Sequence, residues 1–134
     1  MKKIIITGAG SAQANGVINS LLLAGDGEEI IGLGCDPADL MMSRAHRRYL
    51  VPHSREPHYK AALMNVIAHE KPDMIHFQHD FELSVALRFR DEIEAAGVKM
   101  LVLSHIVPPY PLRYLDAAFL GDAKDKFDGP VIVG

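Results

Sequence analysis

The 134-residue chain contains a single cysteine, Cys35, so no disulfide can form within it and burial must supply its order. One thiol with six methionines suits a reducing compartment, and a cytoplasmic location is expected. Excess charge is also scarce. A formal net charge of −3 provides no basic footprint, which makes nucleic acid an unexpected partner. Long apolar runs are missing: Ile4–Ile6 and Met100–Leu103 fall far short of the ~20 residues of a membrane-spanning helix, so no membrane partner is expected. Lys2 and Lys3 precede an apolar run, but Thr7-Gly8-Ala9-Gly10 breaks it too early for a signal peptide. There is no Gly-x-Ser-x-Gly elbow, Walker loop or His-Glu-x-x-His helix. The length leaves no room for the second lobe of a dehydrogenase or the three domains of a ligase.

What is present is an alternation of short apolar runs with amphipathic stretches, the pattern of βαβ units. It predicts an α/β fold: a Rossmann-like, doubly wound parallel sheet of about five to six strands in three layers, α/β/α, with strand order 3-2-1-4-5. Lys3–Thr7 is the first strand, buried on both faces. A helix follows over about Ala14–Ala24, closed by Gly25, and a second strand covers Glu28–Gly34. Met41–Arg48 is expected to form a short helix before an extended run at Tyr49–Pro52. Pro57 opens a helix that buries Tyr59, Leu63, Val66 and Ile67 until Pro72. Strands at Asp73–Phe77 and Val98–Ser104 flank a helix over Asp80–Ala96, expected from Phe81, Val85, Phe89 and Ile93. Three prolines at 108, 109 and 111 mark a boundary, giving a domain over 1–104 and a tail over 105–134 with a candidate helix at Leu112–Phe127.

Three places carry candidate chemistry. The loop Gly8–Gly16 links the first strand to the first helix, where glycines permit close approach and free N–H groups attract an anion; Gly8, Gly10, Ser11 and Gly16 are the candidate cofactor-binding residues. The dinucleotide spacing is broken, because Gln13 stands where the third glycine belongs. The same loop also serves as a plain strand-to-helix turn. Asp36, at the end of the second strand, stands where a ribose-binding acid would, yet Asp36-Pro37 is equally a way to cap a helix. After the fourth strand, His79, Asp80 and Glu82 form the most polar cluster and are the candidate substrate-binding residues, although Glu82 also suits a helix N-terminus. No metal site is expected, since His76 and His79 would need a bend to converge and lack a clear third ligand. Cys35 is expected to be a small buried hydrophobe, and no catalytic residue is assigned.

Taken together, these residues resemble one family. The opening Ile4-Ile5-Ile6-Thr7-Gly8-Ala9-Gly10, the run from Ile31-Gly32 to Asp36-Pro37, and Arg48-Tyr49-Leu50-Val51-Pro52 are its first marks. Pro57-His58-Tyr59, Lys71-Pro72-Asp73-Met74-Ile75, Glu82-Leu83 and Ala96–Leu101 continue it. The stretch is similar to the pre-ATP-grasp domain at the N-terminus of carbamoyl-phosphate-synthase-like ATP-grasp ligases, over about Lys2–Ser104. The resemblance implies a domain that supports an acceptor substrate or an edge of the nucleotide beside an ATP-grasp catalytic lobe, in the same or a separate chain. Such ligases join a carboxylate to an amine through an acyl phosphate made with Mg-ATP. Asp125-Lys126-Phe127 looks like the family's approach to that lobe. The lobe's ATP-contacting lysines and Mg²⁺ ligands have no counterpart here, so the isolated chain is expected to be inactive and to hold no cofactor of its own.

Two other functions fit the pattern. One is an autonomous NAD(P)-binding module of the epimerase and dehydrogenase type, although the Tyr-x-x-x-Lys pair of short-chain dehydrogenases is missing: Tyr49, Tyr59, Tyr110 and Tyr114 are followed four residues on by His53, Leu63, Tyr114 and Ala118. The other is a non-enzymatic interaction subunit, or a homo-oligomer, with an apolar face on the last helix.

Overall fold

The computed structural model describes residues 1–101. The tail helix, Asp125-Lys126-Phe127, the boundary at Ser104 and the end of the fifth strand lie outside the described residues. Strand β1 (Lys3–Ile6) leads to α1 (Ala12–Ala24), β2 (Glu29–Gly34), α2 (Pro37–Met41), β3 (Arg47–Leu50) and α3 (Tyr59–Glu70). Then come β4 (Met74–His76), α4 (Asp80–Ala86), a 3-10 turn at Leu87–Phe89, α5 (Arg90–Ala95) and β5 (Lys99–Leu101). All strand pairs are parallel, in the expected order β3-β2-β1-β4-β5.

Period-two alternation in β1 sorts the core into two halves. Ile4 and Ile6 face one side with Ala14 and Ile18 of α1 and Leu40 of α2. Ile5 faces the other, aligned with Ile31 of β2 and Ile75 of β4 in one fully buried row. On that row pack Tyr59, Leu63, Val66 and Ile67 of α3, with Leu83, Phe89 and Ile93 from the α4–α5 segment. Each such side chain contributes ~1.5–3 kcal/mol of burial. The sheet is therefore covered on both faces, as a doubly wound fold requires. Among the described residues no helix is long and apolar enough to cross a membrane.

The helix expected over Met41–Arg48 is displaced. Asp36 accepts from Ala38 N at 2.7 Å and Asp39 N at 3.1 Å, and Pro37 follows at the first helical position, so the helix starts there and ends at Met41. The freed residues Arg47 and Arg48 then open β3, a charged edge strand. The single helix expected over Asp80–Ala96 is broken in two. Side chains every four residues drift by 40° per step, since a helix turns every 3.6 residues. The 3-10 turn resets the phase: Phe89 and Ile93 are buried, whereas Phe81 is 46% exposed.

Polar groups brace the sheet edge at the strand starts. Glu70, buried at the end of α3, accepts from the Tyr49 hydroxyl and pairs with Arg47 at 2.8 Å and Lys3 at 3.4 Å, while Arg47 also meets Glu29 at 2.6 Å. Burial by itself raises the Glu70 carboxyl, but Tyr49, Arg47 and Lys3 outweigh it and hold it below the usual range. This network joins β1, β2, β3 and α3.

Candidate functional site

At the opposite edge, a cleft of about 320 Å³ opens beyond the carboxyl ends of β1, β2 and β3 and against the first turn of α4. That volume is at the small end of the range for small-molecule sites. Connections run outward from β1 through β2 to β3 and then return to β4 on β1's other side, so the cleft borders a topological switch point. Thr7, fully buried, ties the two halves there: its N–H donates to His76 O at 3.1 Å, and its hydroxyl accepts from Gln78 N at 3.1 Å.

The cleft has one buried carboxylate. Glu82 is 8% exposed and lines the wall, and its Oε1 accepts from the Tyr59 hydroxyl at 2.7 Å. Burial and then the neighbouring carboxylate push the Tyr59 phenol far up, so it keeps its proton and serves as donor. One residue earlier, the Phe81 ring lies 4.8 Å beneath the Arg55 guanidinium. Tyr59 and Arg55 thus hold consecutive positions of α4 from the β3–α3 side. Arg55 and His53 bring cationic or titratable groups to that wall, while Asp36 and Asp39 stand on the wall formed by α2. Cys35 also lines the cleft and is exposed, not buried as expected. Desolvation, followed by the carboxylates of Glu82, Asp36 and Asp39, raises its thiol despite an opposing backbone hydrogen bond, which suppresses the thiolate a nucleophile needs.

Of the residues singled out from sequence, Gly8, Ser11, Asp36, His79 and Glu82 line this cleft together. Gly10, Gly16 and Asp80 are not among its walls. Gly16 lies inside α1 on its exposed side, with nothing within 4 Å of where a Cβ would stand. Asp80 is the exposed first residue of α4, and His79 precedes it without capping the helix through its side chain. Asp36 does cap α2, through Oδ1. Tyr59, Arg55 and His53 went unassigned. Tyr59 fitted the apolar face of α3, and its hydroxyl's partner lies 23 residues away. The only local sign was a phenol on an otherwise aliphatic stripe, a group that takes a hydrogen-bond partner when buried.

The glycine loop is held mainly by its own chain. Ala9 N donates to Leu33 O at 2.8 Å; the Ala9 side chain packs where Gly32 leaves β2 bare, and the Ala9 carbonyl sits against Gly34. Ser11 caps α1 by accepting from Ala14 N at 3.2 Å. Gly10 has φ +106°, and a Cβ there would fall 1.9 Å from Asp39 O and 2.2 Å from its carbon. The space beside this glycine is filled by the backbone of α2. Beside it, Asn15 Nδ2 donates to Gly10 O at 3.2 Å.

No protein family and no curated protein matches the chain. Among solved structures, it is similar to glycinamide-RNase-transformylase T from Mycobacterium tuberculosis, with a TM-score of 0.54 and 19% identity. That likeness shows the fold. It covers 74% of this chain and 28% of that one, so the chain spans little more than a quarter of the transformylase's length. Among the described residues no three His, Cys, Asp or Glu side chains converge to hold a metal ion.

Proposed function

We propose that the chain supports the acceptor substrate, or an edge of the nucleotide, in an ATP-grasp-type ligase whose catalytic lobe sits elsewhere in the same protein or on a partner chain. The observation that carries this reading is the cleft at the switch point, lined both by the loop after β1 and by the buried Glu82. The resemblance to pre-ATP-grasp domains and the fold likeness to a transformylase support it. In this reading Glu82 accepts a hydrogen bond from an amine or amide, His53 and Arg55 face an anionic part of the same molecule, and Ser11 with the loop backbone borders it. Mg-ATP, when bound, supplies the phosphoryl group that activates a carboxylate, and the groups that hold it belong to the catalytic lobe. The chain's own part is to bind and orient.

The test is a titration of the ¹⁵N-labelled 134-residue chain with glycinamide, ribose 5-phosphate, ATP and NAD⁺, followed by amide NMR. Shifts at Gly8, Ser11, His53 and Glu82 with glycinamide or ribose 5-phosphate support the proposal. Complete ATP-dependent ligation by the chain alone, or shifts confined to NAD⁺, would overturn it.

A further inference from the structure

Glu82 stands on the first turn of α4, a helix of seven residues that is itself joined to a 3-10 turn, so its own element gives it little to hold its carboxylate in place. The hold comes from across the fold. Tyr59 opens α3, is 2% exposed, and sits in the core among Leu63, Phe77 and Leu83. Its ring has no freedom to follow a moving partner, so the hydroxyl is a fixed donor 2.7 Å from Glu82 Oε1. A carboxylate has about four lone-pair positions, and Tyr59 takes one on Oε1. Glu82 as a residue lines the cleft.

We infer that Tyr59 is a positioning residue of the cleft: its hydroxyl fixes the Glu82 carboxylate in the orientation that receives an N–H donor from the bound molecule. The ligand class rests on the function proposed above, whereas the positioning rests on the Tyr59–Glu82 geometry alone. Arg55 on Phe81 supports the same turn from the neighbouring position, so the β3–α3 connection sets where the acceptor stands. A phenylalanine at 59 fills the same space in the core and removes only the donor. The released carboxylate can then turn toward solvent in the cleft, and ligand binding must reorder it.

The experiment uses the full chain, with glycinamide as probe and acetamide as a neutral comparison. In the first arm, ¹³C-labelled glutamate reports the Glu82 side-chain carboxyl, assigned by its loss in Glu82→Gln. Tyr59→Phe is expected to move that resonance without ligand while changing the unfolding midpoint little. An unmoved resonance overturns the positioning, whatever the chain binds. In the second arm, Tyr59→Phe is expected to weaken glycinamide about tenfold, the lower end for a hydrogen bond to a charged group, and acetamide less. In a Glu82→Gln background the same change should add little, since the residue acts through Glu82. An equal loss in both backgrounds marks a structural effect and overturns the inference. A resonance moved by Tyr59→Phe, together with a wild-type chain that binds neither probe, upholds the positioning and removes the proposed ligand class.

Discussion

Replacing Gly10 by alanine separates a glycine kept for a ligand from one kept for the fold. The residue has φ +106°, and an added Cβ would lie 1.9 Å from Asp39 O, 2.2 Å from Asp39 C and 3.0 Å from its Cα. These are backbone atoms of α2, which no rotamer change can move aside. Holding a non-glycine residue in such a region costs ~1–3 kcal/mol. Displacing α2 adds an overpacking term of ~1–3 kcal/mol. A loss of about 3 kcal/mol or more is expected, a lowering of Tm by ~10 °C or more for a domain of this size. Gly16→Ala is the internal control. It lies within α1 with open space around it, so alanine should stabilise by ~0.5–1 kcal/mol through helix propensity. Both are read by thermal and urea unfolding in far-ultraviolet circular dichroism, without any ligand. A Gly10→Ala chain as stable as wild type, but defective in binding a nucleotide, would refute the packing account and return Gly10 to the ligand.

Asp36→Ala removes the acceptor for Ala38 N and Asp39 N, and should lower stability by ~1 kcal/mol, with Asp36→Asn or Asp36→Ser retaining most of it; urea midpoints test this. Glu70 titrates below its ordinary value of 4.5, so its carboxylate favours the folded state above that pH and the contribution fades as pH falls through the lowered value. The stability gap between wild type and Glu70→Gln, measured by urea unfolding, should therefore be full at pH 7 and narrow steadily below about 4.5; a gap constant down to pH 3 would contradict the assignment.

The parallel sheet was legible because β1 and β2 are short apolar runs buried on both faces, set between amphipathic stretches. Glu82, His79 and Asp36 were legible as site candidates for a related reason: polar residues just past buried strands fall at the carboxyl edge by topology alone. β3 was harder, since an edge strand reading Arg-Arg-Tyr-Leu carries charges for its edge and shows no apolar run at its start. α2 was misplaced because five residues are too few for a helical period, and its cap, not its apolar spacing, defines it. Tyr59 and Arg55 act through partners 23 and 26 residues away, and no spacing rule encodes that distance.

Ala9 and Gly32 show what such distant partners mean for a substitution. A Cβ on Gly32 would lie 2.8 Å from the Ala9 Cβ, so between the loop and the strand there is room for one methyl group, which the loop carries. Neither position has a tolerance of its own. What β2 accepts at 32 depends on the side chain of a residue 23 places earlier and on Ala45, whose Cβ lies 3.0 Å from the same point, and the loop that borders the cleft is seated in a notch cut into its neighbouring strand. The cleft's shape at Ala9 is thus inherited from a residue outside its walls.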